Sequence, residues 1–153
     1  MGSLSAVAAL QLPVRLHGEP AGSDRPGTDR LGRPVDVLLD TAAWKALGFV
    51  VLCNDESLRF LPYQASQPAE DEILVASALL LLEDDGFYRA RAASIRTLLG
   101  GRVERSGRTA GILRDVLLGA GGAVTELELG RGGSLLRVPA IGSSVTSTRA
   151  DAA

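Results

Sequence analysis

Few residues in this chain of 153 could do chemistry: one histidine (His17), one cysteine (Cys53) and one lysine (Lys45), against 18 Asp and Glu. A catalytic base needs a nucleophile or an orienting carboxylate beside it. No serine or cysteine motif accompanies His17, so it reads as a surface or packing residue. Cys53 follows an apolar stretch and precedes the polar turn Asn54-Asp55-Glu56, with no basic neighbour to lower its pKa. It reads as a half-buried structural thiol. One cysteine forms no internal disulfide, and His17 and Cys53 fall short of the about four ligands that structural zinc takes. The acid runs Glu70-Asp71-Glu72 and Glu83-Asp84-Asp85 could face a hard cation, but consecutive carboxylates seldom converge on one ion, and they read as solvated turns. Neither a metal nor a cofactor is expected.

Two glycine clusters, Gly119-Ala120-Gly121-Gly122 and Gly130-Arg131-Gly132-Gly133, look at first like phosphate loops. A phosphate loop leads from a strand into a helix N-terminus. These lead from strand to strand, so they read as hairpin turns. Asp36 and Asp115 each interrupt an apolar strand at an equivalent point, which points to structural acids that cap loops or bridge two units. Charge is divided sharply. From Asp36 to Asp85 ten acids face Lys45 and Arg59, a net −8; from Gly86 to Arg114 seven arginines face Glu104, a net +6. The segment holding Arg89, Arg91, Arg96, Arg102, Arg105 and Arg108 could take phosphate through guanidinium forks. Single-strand readers interleave basic with aromatic residues, and here only Phe87 and Tyr88 are at hand. Pairing with the acidic first half is the preferred reading.

The elements that must position these residues come in two sets. Asp36-Val37-Leu38-Leu39-Asp40 recurs 79 residues on as Asp115-Val116-Leu117-Leu118-Gly119. Ser57-Leu58-Arg59-Phe60-Leu61-Pro62 recurs 77 residues on as Ser134-Leu135-Leu136-Arg137-Val138-Pro139. The two-residue difference is assigned to the turn around Thr41 to Trp44. A period this long exceeds a solenoid repeat and suits two small units in tandem. Strands are expected at Val35–Leu39, Leu47–Leu52, Leu58–Leu61, Asp115–Leu118 and Thr125–Leu129. In the last, alternation puts Leu127 and Leu129 inward. A short helix is expected within Phe87 to Leu99. The units are drawn at 13–83 and 95–141, joined by a linker over 84–94 and followed by a flexible tail over 142–153. The second unit looks truncated after Pro139, with no counterpart of Ile73-Leu74-Val75. The longest apolar run, Ile73 to Leu82, is too short to span a bilayer, and the first fifteen residues carry no basic leader; a cytoplasmic protein is expected.

This arrangement resembles the PRC-barrel family, the small β-barrel of the photosynthetic reaction centre H subunit and of the C-terminal domain of RimM-type ribosome maturation factors. Leu99-Gly100-Gly101-Arg102-Val103, Gly111-Ile112-Leu113-Arg114-Asp115-Val116-Leu117-Leu118 and Arg137-Val138-Pro139 carry the likeness in the second unit. Leu16-His17-Gly18, Gly32-Arg33-Pro34-Val35-Asp36-Val37-Leu38-Leu39-Asp40 and Arg59-Phe60-Leu61-Pro62 carry it in the first. The resemblance implies a mainly β fold of two tandem PRC-type β-barrels joined by a short linker or helix. The resemblance and the missing catalytic residues together imply a non-catalytic adaptor that binds a protein partner. Trp44, Tyr63 and the Arg89 to Arg108 segment are the expected contacts, since Trp and Arg favour interfaces. The alternatives are an RNA- or ribosome-associated assembly factor and a peripheral subunit of a membrane complex. The truncated second unit further suggests a homodimer whose edges pair to finish the barrels.

Overall fold

The structure, a computed structural model, describes residues 3–16, 30–84 and 86–146. His17 lies outside them. The fold is mainly β, in two sheets of which one curls into a half-barrel. The first sheet is built from β2 (Val14–Leu16), β3 (Arg30–Asp40), β4 (Lys45–Cys53), β5 (Leu58–Pro62), β6 (Ser66–Pro68) and β7 (Ile73–Val75), in the order β5-β4-β3-β2-β7-β6. The second is built from β9 (Arg102–Arg105), β10 (Arg108–Leu118), β11 (Val124–Arg131), β12 (Ser134–Pro139) and β13 (Ser143–Val145), in the order β12-β11-β10-β9-β13. Every pairing is antiparallel except β2 with β7.

The two ladders share a register. Val14 pairs with Gly32 and Val103 with Gly111. Phe49 pairs with Leu61 and Leu127 with Val138. Both long strands bulge at the same point, between Pro34 and Asp36 in β3 and between Leu113 and Asp115 in β10. Alternation decides what is inside: Leu127 and Leu129 are fully buried, as their period-two pattern requires. The two extra residues assigned to the turn around Thr41 to Trp44 divide instead. One falls there, since Leu39 pairs with Ala46 but Leu118 with Val124; the other falls between β4 and β5, since Leu52 pairs with Leu58 but Gly130 with Leu135.

Each sheet also takes a strand from outside the stretches 13–83 and 95–141. β1 (Leu4–Ser5) pairs with the end of β10, and β8 (Ala93–Ser94) pairs with the end of β3. Each short strand runs into a single-turn helix, α1 (Ala6–Ala9) and α3 (Ile95–Leu98). A further turn, α2 (Gly86–Arg89), precedes β8. The helix expected within Phe87 to Leu99 is therefore broken, because Ala93 and Ser94 extend to pair with β3 and Ser94 then caps a new turn. The tail is shorter than expected: Ser143–Val145 is strand, laid antiparallel on β9 where β7 lies parallel on β2. Its Ser-Ser-Val sequence hid it, because the pairing is made by backbone and only Ser143 is buried.

One hydrophobic core runs through both sheets. Val37, Phe49, Leu61 and Ile73 from the first join Val103, Leu113, Leu127 and Leu129 from the second, with Ala6, Ala9, Ile95 and Leu98 of the helical turns. A second, smaller cluster lies on the outer face of the first sheet, where Leu38, Val50 and Phe60 are covered by Leu82, Tyr88 and Ala92. Leu82 also closes the edge of β5: Phe60 N–H donates to Leu82 O at 2.8 Å and Leu82 N–H to Phe60 O at 2.7 Å. Among the described residues no helix is long and apolar enough to cross a membrane.

Candidate functional site

Asp36 and Asp115 sit just past the bulges and do the same work. Asp36 accepts from its neighbour's Val37 N–H at 2.9 Å and from the Ser94 hydroxyl. Asp115 accepts from Val116 N–H at 2.7 Å, from Val7 N–H at 3.1 Å and from the Ser5 hydroxyl. Ser94 and Ser5 are the N-caps of α3 and α1, accepting from Arg96 N–H at 3.2 Å and Ala8 N–H at 3.0 Å. Each aspartate thus holds the capped turn that leads into the opposite sheet. The exchange is reciprocal, and it ties the two halves together at two equivalent points. Arg96 adds a third tie, its Nε donating to Val35 O.

Trp44 and Tyr63, expected as surface contacts, are buried in the core. Both belong to the core cluster that the two sheets share, where large rings bury the most apolar surface. The Trp44 indole donates to Ser143 O at 3.2 Å, and its backbone sits at a positive φ of 51°. Tyr63 stacks on Phe49 with centroids 5.7 Å apart, and burial pushes its phenol above the usual tyrosine range. Tyr63 also walls a cleft of about 580 Å³ with Gln64, Leu118, Gly119, Gly121 and Thr125. The turns on either side meet at a single antiparallel bridge between Lys45 and Ala123. Gly122 then stands where Trp44 stands in the first sheet, and a Cβ there would lie 2.8 Å from the Tyr63 ring.

Four arginines of the segment, Arg91, Arg96, Arg102 and Arg105, are engaged locally. Arg105 donates through one Nη to Pro139 O at 2.7 Å, Ile141 O at 3.1 Å and Ser143 Oγ at 2.7 Å, which pins the last turn to β9. Arg102 pairs with Glu104 on its own strand at 3.3 Å. Arg96 goes to backbone, and Arg91 lies over the Phe87 ring at 3.9 Å. Arg89 and Arg108 are exposed. Among the described residues, no ion pair links Arg91, Arg96, Arg102, Arg105 or Arg108 to an acid of the first half. The acids of that half look elsewhere: Glu72 to Arg15 at 3.8 Å, and Glu83 and Asp55 to Arg59 at 3.5 and 3.8 Å.

Cys53 is half-buried, and burial raises its thiol against the smaller opposing pull of Arg59. No group of three or more His, Cys, Asp or Glu among the described residues could hold a metal ion.

The sequence sets Phe87 beside the arginines but not among the expected contacts. It is 64 % exposed, yet it is held edge-on to Tyr88 at 5.3 Å, and Tyr88 stacks at 4.2 Å on the fully buried Phe60. With Arg91 on its other side, Phe87 is a surface aromatic braced against the core. Its signal was available: Phe87 and Tyr88 are the only aromatics near the arginines. Leu79 and Leu135, 88 % and 65 % exposed, were also passed over. No family model matches the chain, and no curated protein matches it.

Proposed function

We propose that the chain is a tandem pair of PRC-barrel-like units, duplicated from one ancestor and working as a non-catalytic module that binds a protein partner. The common register of the two ladders, the matching bulges and the reciprocal Asp–Ser ties support the tandem reading. The observation that carries the binding reading is the Phe87–Arg91 pair. Interfaces concentrate their energy in a few aromatic and arginine anchors, and an anchor already held in place loses little side-chain freedom on binding. Here Tyr88 and Phe60 hold the ring, and Arg91 stacks on it.

The other arginines favour this reading over phosphate binding, since Arg102 and Arg105 are engaged with Glu104 and with backbone carbonyls. The place beside β9 is filled by the chain's own Ser143–Val145, so the argument for a dimer that completes the second unit loses its premise.

The test is quantitative affinity capture with the wild-type chain and with Phe87→Ala and Arg91→Ala. Both changes lie on the surface and leave the folded state intact, as thermal unfolding would confirm. The expected result is a retained protein whose recovery falls by about tenfold in either variant, which corresponds to roughly 1.4 kcal/mol. Equal recovery of the same proteins by all three chains would overturn the reading.

A further inference from the structure

Two edges that occupy equivalent positions are treated differently. The outer edge of β5 is closed by the chain itself through the Phe60–Leu82 pair of hydrogen bonds, and the next residue, Glu83, reaches Arg59 at 3.5 Å. The outer edge of β12 carries no strand among the described residues. We propose that this edge binds an extended acidic segment of a protein partner as an added antiparallel strand; the inference rests on the protein-binding reading above and names a second contact surface for it.

The geometry of the ladder identifies the free groups. In an antiparallel pair the hydrogen bonds alternate along the strand. Ala140 N–H donates to Thr125 O at 3.1 Å, so Val138 and Leu136 face β11, and Arg137 and Leu135 turn their N–H and C=O groups outward. Arg137 stands opposite Glu128 as Phe60 stands opposite Val50. It therefore offers the same pair of groups that Phe60 gives to Leu82.

Charge then fixes the chemistry and direction of the occupant. Arg114 and Arg131 line the hollow at the hairpin end of β12 together with Gly130 and Leu135. Gly130 has no side chain, and a Cβ there would lie 2.9 Å from Arg114 Nε, so the Arg114 side chain crosses β11 toward the edge strand. Arg114 and Arg131 form no ion pair among the described residues, whereas Arg137 is already neutralised by Glu128 at 3.5 Å. The acids of this face, Glu126 and Glu128, lie toward the Pro139 end. A strand laid antiparallel on β12 therefore meets positive charge at its C-terminal end. The segment Leu82-Glu83-Asp84 on β5 has this order, an apolar pairing residue followed by acids. Added strands of this kind gain affinity from backbone bonds and specificity from alternate side chains.

The test uses the full chain and a fluorescein-labelled peptide, Thr-Val-Thr-Leu-Glu-Asp-Asp, read by fluorescence anisotropy. Leu135→Pro removes an outward N–H without touching the ladder to β11, and Arg114→Glu with Arg131→Glu reverses the charge without altering the backbone. Saturable binding is expected, at least tenfold weaker in each variant and for a peptide with Lys in place of its three acids. No saturation by millimolar peptide, or equal binding by all chains, would overturn the proposal. So would a wild-type dimer in sedimentation that Leu135→Pro returns to monomer, since the edge would then belong to a second copy. Capture that depends on Phe87 but is unchanged by Leu135→Pro would overturn this inference and leave the protein-binding reading standing. Peptide binding with no Phe87-dependent capture would leave the edge as the contact surface and overturn the assignment of Phe87 as an anchor.

Discussion

Replacing Asp115 with Ala tests whether the reciprocal exchange holds the molecule together. Three donors lose their acceptor at once: the Ser5 hydroxyl, Val7 N–H and Val116 N–H. Hydrogen bonds to a charged group contribute about 1.5–3 kcal/mol when shielded from water. Asp115 and Ser5 are half-buried, and Val7 is exposed, so about 1 kcal/mol each is the fitting magnitude. The expected loss is then about 3 kcal/mol, or a fall in Tm of roughly 6–12 °C for a chain of this size. Asp36→Ala strands two donors, Val37 N–H and the Ser94 hydroxyl, and costs about 2 kcal/mol on the same scale. Thermal unfolding followed by circular dichroism measures both. A Ser5→Ala/Asp115→Ala cycle isolates the tie itself, with a coupling of about 1 kcal/mol expected. The shared core further requires that each variant move one common transition. Coupling indistinguishable from zero, or two transitions of which only one moves, would refute the reasoning.

Trp44→Ala removes a buried indole, and about 3–5 kcal/mol of stability should go with it; in the wild type the emission of this sole tryptophan should sit to the blue and shift red in step with unfolding. Gly48→Ala puts a Cβ 2.2 Å from Leu61 O on the adjacent strand, where backbone must move, so urea unfolding should show a loss of about 2 kcal/mol or more. A wild-type midpoint for that variant would contradict the close approach of β4 to β5. Burial raises both the Tyr63 phenol and the Cys53 thiol in the folded chain. Unfolding then releases protons at alkaline pH, so the stability present at neutral pH should decline as pH rises past about 9 and through the ordinary tyrosine range near 10. Tyr63→Phe should flatten the upper part of that decline in denaturant midpoints compared at pH 7, 9 and 10.5, and an unchanged slope would count against burial as the cause.

The strands were legible wherever burial imposed a period. Leu127 and Leu129 alternate with acids and point inward, and Val37-Leu38-Leu39 runs apolar because Leu82, Tyr88 and Ala92 cover the outer side at Leu38. The short exchanged strands were not legible. Leu4–Ser5 and Ala93–Ser94 are two residues each, and a period cannot be read from two positions. What identifies them is the serine cap that an aspartate across the molecule accepts from, and that partnership spans 110 residues in one case and 58 in the other. The candidate contacts were misjudged for a related reason. Trp44 and Tyr63 look like interface residues by type, but the core of this fold has few other large side chains, and packing claimed them first. Phe87 was undervalued because its exposure depends on Tyr88 turning inward onto Phe60, a choice made in three dimensions.

The two halves are matched, yet they cannot be exchanged. Where the first turn carries Trp44, the second carries Gly122; where the first half carries Tyr63 after its Pro62, the second carries Ala140 after Pro139. The large Tyr63 of the first half faces the small Gly122 that the other half brings. The outer faces have parted in the same complementary way. Val50 and Phe60 lie beneath Leu82 and Tyr88, and their counterparts opposite, Glu128 and Arg137, form an ion pair in the open. A face that the chain covers is apolar, and one that it leaves open is charged, as the cost of exposing apolar surface requires. Leu82, Tyr88 and Ala92 therefore form an outer layer on the first sheet. Among the described residues the second sheet has no such layer, and there β12 keeps a free edge with arginines that form no ion pair at one end.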